Sequence, residues 1–284
     1  MTPSASPGLP ITLSNPRAER IVKVRALAGN TVRRREGRFL VEGPQAVREA
    51  VRFRAPSVRD VYLTSDVAAR HPEILAEAVT AGLRIHGCTP EVVTAMSGDA
   101  QGALAVATVA PSILGDSVRE GARLVVILSN VRDPGNTGTI VRVADAVGAD
   151  AVILAGECVD PYSPKVVRAS TGSLFHVPIV TGVVLEDAMT RAREAGLGVF
   201  AASGSGVEDL FSLAEAVDAP LAGPIAWVFG NEAWGLSPDE IAFADRSVRL
   251  PILGRAESLN VASAASVALY FCAHAQQRIS GNAE

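Results

Sequence analysis

The sequence predicts an α/β protein built on a parallel sheet covered by helices. Three observations carry this. Strand-like and helix-like patterns alternate from about residue 39 onward. Leu124-Val125-Val126-Ile127-Leu128 is apolar at every position, as a strand buried on both faces must be. Glycine and proline punctuate the helices, and Ser237-Pro238-Asp239-Glu240 is a capping box with proline at the first helical position. With 284 residues, the chain has room for one large or two modest domains and a real core.

Residues 1–16 are rich in Ser, Thr and Pro and lack an apolar stretch, so they read as a flexible tail and not as a secretion signal. Phe39-Leu40-Val41 is a short strand, and Pro44 to Phe53 has helical spacing. A strand at 58–64, a helix at 72–81 stopped by Gly82, a strand near 83–86, a helix after Pro90 and a strand at 103–109 complete a first domain, 17–110. Residues 111–121 are polar, with Pro and Gly, and read as a linker. The second domain, 122–284, restarts with the 124–128 strand and a helix from about Thr137 to Val147, stopped by Gly148. Strands follow at 151–155, 197–202, 225–229 and 247–252, with helices opened by Ser163-Pro164 and at 185–195, 238–244 and 261–271.

Composition excludes several classes. Apolar residues make up 48% and charged residues 20%, which argues against disorder and coiled coil. No apolar run reaches the roughly 18 residues that span a bilayer, so no membrane association is expected. Cys88, Cys158 and Cys272 lie far apart without a CxxC pair, which speaks against a disulfide framework or a cysteine zinc site and for the cytoplasm. His71, His86, His176 and His274 have no metal-ligand spacing, and no metal is expected. There is no P-loop; Gly204-Ser205-Gly206 has Asp209 where a dinucleotide fingerprint needs its third glycine; Ser173 and Ser258 lack a GxSxG elbow. The net charge of −4 is uneven: residues 1–60 hold eleven arginines and Lys23 against five acids, +7, leaving −11 elsewhere. That asymmetry fits a polyanion-binding face, and equally a solvated surface in an arginine-rich chain.

Three segments place polar residues and glycine at the ends of expected strands: Asn130 to Arg142, Phe229 to Leu236, and Leu250 to Val261. Open α/β sheets bind ligands at such strand ends. Taken singly, each has a plainer explanation. Asn136 could cap a helix, Gly230 and Gly235 could make turns, and Ser258 could cap the Ala-rich last helix.

Taken together, N-x-x-D-P-x-N-x-G-x-x-x-R, then F-G-N-E-x-x-G, then L-P-I…S-L-N-V-A-x-A resemble the three motifs of the SpoU branch of the SPOUT RNA methyltransferases. The resemblance covers about residues 121–275, and more weakly Arg38-Phe39-Leu40-Val41-Glu42-Gly43. It implies a catalytic domain with a deep trefoil knot, which general topology rules disfavour, and an N-terminal ribosomal-protein-like α/β/α RNA-binding domain. It implies transfer of a methyl group from S-adenosylmethionine to a ribose 2′-hydroxyl of structured RNA, ribosomal RNA foremost, by a homodimer without metal. Transfer RNA is the alternative substrate, and a non-catalytic RNA-binding protein the alternative class.

By position in the motifs, Asn136, Arg142, Glu232, Ser258 and Asn260 form the catalytic set, and Gly230, Leu250, Ile252 and Leu259 hold the adenosine end of the donor. The family reading has Arg142 activate the hydroxyl. A guanidinium with a pKa above about 12 is a poor base, so a clamp on phosphate and developing alkoxide is the better role. Glu232, Ser258 and Asn260 would then orient that arginine and the loops around the donor. Arg33, Arg34, Arg35 and Arg38 would grip RNA phosphates. The small residues between Ala262 and Ala268 fit a close helix contact, between subunits or within one.

Overall fold

The computed structural model describes residues 9–280. The chain forms two compact units, one of residues up to 110 together with 160–176, the other of 111–159 together with 177 onward. Among the described residues no helix is long and apolar enough to cross a membrane.

The first unit holds β1 (Ile11–Leu13), α1 (Glu19–Ala26), α2 (Asn30–Glu36), β2 (Arg38–Glu42), α3 (Pro44–Arg54), β3 (Val58–Thr64), α4 (Ser65–Arg70), α5 (Pro72–Thr80), β4 (Arg84–Cys88), α6 (Pro90–Met96) and β5 (Ala103–Thr108). Its sheet runs β1-β4-β3-β5-β2. β1, β4 and β3 are parallel, and β5 is antiparallel to both β3 and β2. Proline opens α3, α5 and α6, where its missing N–H costs no helical bond. Ile21, Val24 and Leu27 of the first helical stretch pack with Leu40, Tyr62, Val92 and Leu104. The expected tail is corrected here: Ile11 and Leu13 pair with Gly87 and Cys88. A Cβ at residue 87 would stand 2.1 Å from the Pro10 carbonyl oxygen, so glycine there admits the added strand. Residues 1–8, the rest of that expected tail, lie outside the described residues.

The second unit holds α7 (Leu114–Ser117), β6 (Leu124–Ser129), α8 (Pro134–Ala146), β7 (Ala151–Ala155), then, beyond the excursion carrying α9 (Pro164–Ala169), β8 (Ile179–Val183), α10 (Leu185–Glu194), β9 (Gly198–Ala202), β10 (Glu208–Asp209), α11 (Leu210–Glu215), β11 (Ile225–Phe229), α12 (Pro238–Ala242), β12 (Arg246–Arg249) and α13 (Val261–Ser280). Its seven strands are all parallel, in the order β10-β12-β9-β11-β6-β7-β8. Every residue of β6, β7 and β11 is buried, which is why these strands read as unbroken apolar runs. From β6 the chain first adds β7 and β8 on one side and later places β9 to β12 on the other. The loops after β6 and β11 therefore meet at a topological switch point, where open sheets leave a crevice.

Two expected boundaries move. The stretch 111–121 is not a free linker: Ser112 bridges to Val180, and Val118 and Ala122 are buried in the second unit's core. Residues 160–176 belong to the first unit and not to a continuous 122–284 domain. α9 packs on β2, and Tyr162 and Phe175 meet the Phe39 ring at 4.9 and 6.3 Å. Arg168 pairs with Glu42 and, at 3.1 Å, with Asp99. In sequence this excursion has the same βα rhythm as its neighbours, so nothing marks it as covering another sheet.

Candidate active site

The site is built from three loops of the second unit. The first leaves β6 at Ser129, whose hydroxyl donates to Glu240 Oε1 (2.7 Å); the other oxygen of Glu240 accepts the Ser237 N–H (2.6 Å) in the expected capping box. Asn130 then turns the chain with φ +55°, a conformation asparagine tolerates better than most residues. Its Oδ1 accepts the Glu157 N–H (2.9 Å), and its carbonyl accepts Asn231 Nδ2 (2.7 Å). Asp133 caps α8 by accepting the Asn136 N–H (2.7 Å), so the helix begins at Pro134, before the expected Thr137, and Asn136 lies in its first turn.

The second loop, after β11, is a tight turn in which Asn231 and Gly235 exchange both backbone hydrogen bonds (3.0 and 2.9 Å). A Cβ on Gly230 would meet Gly235 and Leu236 backbone atoms at 2.3–2.6 Å. Glycine at 230 is thus required by the turn itself, the plainer of the two explanations the sequence offered.

Glu232 fastens this turn to the first loop. Its Oε1 accepts the Asp133 N–H (2.9 Å) and Asn136 Nδ2 (3.1 Å), and its Oε2 accepts the Arg132 N–H (3.2 Å). Burial opposes ionisation of this carboxyl. The donors from Asp133, its own backbone, Asn136 and Arg132 outweigh that, and hold it below the usual carboxylate range. The third loop follows β12, which ends at Arg249, so Leu250 and Ile252 lie in the loop and not in a strand. It closes on Asn260, whose Nδ2 donates to Asn136 Oδ1 (2.9 Å) while its Oδ1 accepts the N–H groups of Ala262 (2.9 Å) and Ser263 (3.3 Å). Asn260, and not Ser258, caps α13.

A cleft of about 530 Å³ lies between the second and third loops and the turn that follows β9 at Ala202 to Ser205; the first loop braces it from outside through Glu232 and Asn260. Gly230, Leu250, Ile252, Leu259, Ser258 and Asn260 all line it, as does Glu232. Among the described residues no lysine or arginine lines it, and Glu232 and Glu257 are acidic. Cys158, beside the first loop, donates to the Leu128 and Ala155 carbonyls (3.3 Å each), and burial pushes its thiol up to about 11, so it stays protonated at neutral pH.

Arg142 stands apart. It is exposed on α8, six residues beyond Asn136, hence about 120° around the helix and about 9 Å along it. Neither Glu232, Ser258 nor Asn260 hydrogen-bonds to it: of the two expected tasks, Glu232 and Asn260 hold the loops, and none of the three holds the arginine within this chain. In the first unit Arg34, Arg35 and Arg38 are exposed, with Arg35 paired to Glu36. Arg33 departs from the expectation of an exposed phosphate grip: 4% exposed, it donates to Asp160 (2.8 and 3.0 Å) and to the carbonyls of Ala28 and Leu27. Sequence reasoning quoted Asn130 and Asn231 without a role and passed over Arg132 and Trp234. The positive φ of Asn130 and the bond between Asn130 and Asn231 leave no trace in composition or periodicity.

Comparison with known proteins places these features. Residues 123–270 match the SpoU rRNA Methylase family, and residues 40–112 match RNA 2'-O ribose methyltransferase substrate binding. The chain is 31% identical to a 23S rRNA (guanosine-2'-O-)-methyltransferase of Bordetella pertussis over 81% of this chain and 95% of that one. Among solved structures, it resembles the SpoU methyltransferase AviRb from Streptomyces viridochromogenes in complex with the cofactor AdoMet (TM-score 0.79, 31% identity, 93% and 100% coverage). It also resembles an AdoMet-bound rRNA methyltransferase from Sinorhizobium meliloti (TM-score 0.79, 29% identity, 92% and 97% coverage).

Proposed function

Because the chain belongs to the SpoU rRNA methylase family, we propose that it methylates a ribose 2′-hydroxyl of bacterial large-subunit ribosomal RNA, with S-adenosylmethionine as donor. The observation that carries this reading is the cleft between the second and third loops, which Asn136 of the first loop ties together through Glu232 and Asn260.

The cleft suits the donor. Its volume lies within the usual range for small-molecule sites, roughly 300–1,000 Å³. It offers apolar side chains to an adenine, and it meets a sulfonium cation with carboxylates and no positive side chain. S-adenosylmethionine supplies an activated methyl group when bound. Gly230, Leu250, Ile252 and Leu259 hold its adenosine end, with Ser258 beside them. Glu232 does not act as a base: it is ionised at neutral pH, but three inter-loop donors already use it. Its role, with Asn136 and Asn260, is to hold the cleft walls in place. Arg142, exposed on α8, clamps the target phosphate and stabilises the developing alkoxide. Its distance from the Asn136 network supports a dimer in which it serves the cleft of a second copy.

The first unit captures the RNA, with Arg34, Arg35 and Arg38 on phosphates, and stands for the α/β/α substrate-binding domain. Its match over residues 40–112 supports this. The trefoil knot belongs to the same reading, supported by the return of the third loop to α8 through Asn260. Of the small residues between Ala262 and Ala268, Ala262, Ala265 and Ala268 pack within this chain, while Ser263 is exposed and Ala264 and Ser266 are half-buried, so only these last three are left for a contact between subunits. A ribosomal substrate supports a cytoplasmic location. The test is transfer of labelled methyl from S-adenosylmethionine to unmodified large-subunit ribosomal RNA, small-subunit RNA and transfer RNA, followed by mapping of the 2′-O-methyl. Label at one large-subunit ribose is expected; label only in transfer RNA, or in none, overturns the substrate.

A further inference from the structure

Trp234 has no part in the reading above. Its side chain is 58% exposed, whereas Trp227 is fully buried. It sits on the turn that Asn231 and Gly235 close, stiffened further by the Ala233 N–H on Asn231 Oδ1 (2.8 Å), and it lines the cleft. A large indole held out on a stiff turn forgoes burial that tryptophan ordinarily takes. Beside it is Arg132, whose guanidinium carbon lies 5.4 Å from the ring centroid and whose head also pairs with Glu157. A flat aromatic and a flat cation therefore stand together, on the two loops that Glu232 joins.

Two ligands come to this cleft in the proposed reaction, a sulfonium donor and a polyanionic RNA. A guanidinium at the ring repels the first and attracts the second. The indole face accepts any base, because every base has a π-face. Resting on the proposed reaction, we infer that Trp234, with Arg132 beside it, is the platform on which the RNA stacks a base at the cleft. It thereby positions the target ribose, as a residue that touches substrate and not donor.

The test uses the full chain with two probes, S-adenosylhomocysteine and an unmodified large-subunit ribosomal RNA transcript. Acrylamide quenching of tryptophan lifetimes reads Trp234, because Trp227 is buried; Trp234→Phe supplies the Trp227 baseline. The transcript should shield Trp234 and S-adenosylhomocysteine should not. Trp234→Ala should raise the KM for the transcript about 5- to 150-fold, the range that loss of one base stack gives. Donor affinity by calorimetry should stay unchanged, and Trp234→Phe should keep most of the RNA affinity. Shielding by S-adenosylhomocysteine alone, weaker donor binding in Trp234→Ala, or an unchanged KM for RNA would each overturn the platform. If wild-type protein methylates no transcript, the proposed substrate falls instead. Quenching then decides alone: shielding by the transcript upholds the platform, and its absence overturns it.

Discussion

Replacing Glu232 by glutamine keeps the shape of the side chain and removes its charge, so it isolates what the carboxylate does. Three N–H groups converge on it, two on Oε1 and one on Oε2. A hydrogen bond to a charged group contributes about 1.5–3 kcal/mol and a neutral one about 0.5–1.5. The two bonds to Oε1 should weaken by about 1 kcal/mol each, and the Arg132 N–H would face an amide –NH₂ and lose its acceptor. Water reaches this exposed residue and recovers part of the loss, leaving about 2 kcal/mol, or roughly 30-fold in local opening. Amide hydrogen exchange by NMR reads this at residues 132 and 133, with the buried β6 amides as internal reference. The sign with pH follows from the lowered folded value of the carboxyl. The stabilisation is fully present above the ordinary carboxylate range and is lost as pH falls through that lower value. Wild-type protection at 132 and 133 should thus persist through the ordinary range and drop below it, while Glu232→Gln shows no such step. Equal exchange rates in the two proteins would refute the clamp.

Three further outcomes are expected. Arg33→Ala leaves Asp160 and two carbonyls without their buried cation and should cost about 3 kcal/mol in denaturant unfolding, whereas Arg34→Ala should change stability by less than about 0.5 kcal/mol; equal effects would return Arg33 to the surface. A chain beginning at residue 111 would leave Tyr162, Val166, Val167 and Phe175 without the first unit's sheet, so light scattering should find it aggregated; a well-behaved soluble chain would separate 160–176 from the first unit. Arg142→Ala should leave donor affinity intact and lower single-turnover methyl transfer about 100- to 1,000-fold, with little rescue by lysine because the planar fork is lost; wild-type rates would remove the clamp.

The parallel sheet, the capping box and the membership of the three loops in one site were legible because each rests on local pattern: continuous apolar runs, a Ser-Pro-x-Glu start, polar residues at strand ends. What escaped depends on contacts between distant segments. Ile11–Leu13 alternates no better than a loop, and becomes a strand because Gly87 leaves space beside Pro10. Arg33 stands in a run of three arginines indistinguishable by charge, and only the fold turns one of them inward to Asp160. The excursion 160–176 carries the same apolar residues whichever sheet it covers. Gly230 was open to two readings, a turn or a place in the donor's pocket, and only the backbone of Gly235 and Leu236 standing where a side chain would go shows that the turn alone demands it.

The two motif asparagines show why residue type and spacing alone stop short of mechanism. A carboxylate only accepts, so Glu232 compels Asn136 to present its –NH₂ group; Asn136 Oδ1 then faces Asn260 and compels a second –NH₂ there. Asn260 Oδ1 is left to accept the first free N–H groups of α13. The order of donors and acceptors thus runs one way across the site, from the second loop through the first to the third. Aspartate at 136 or 260 would set acceptor against acceptor, serine would fall short, and glutamine would overreach. Each substitution breaks the link between the two loops that wall the cleft, so the start of α13 and the lining at Ser258 and Leu259 are positioned by a charge at residue 232 that never touches them.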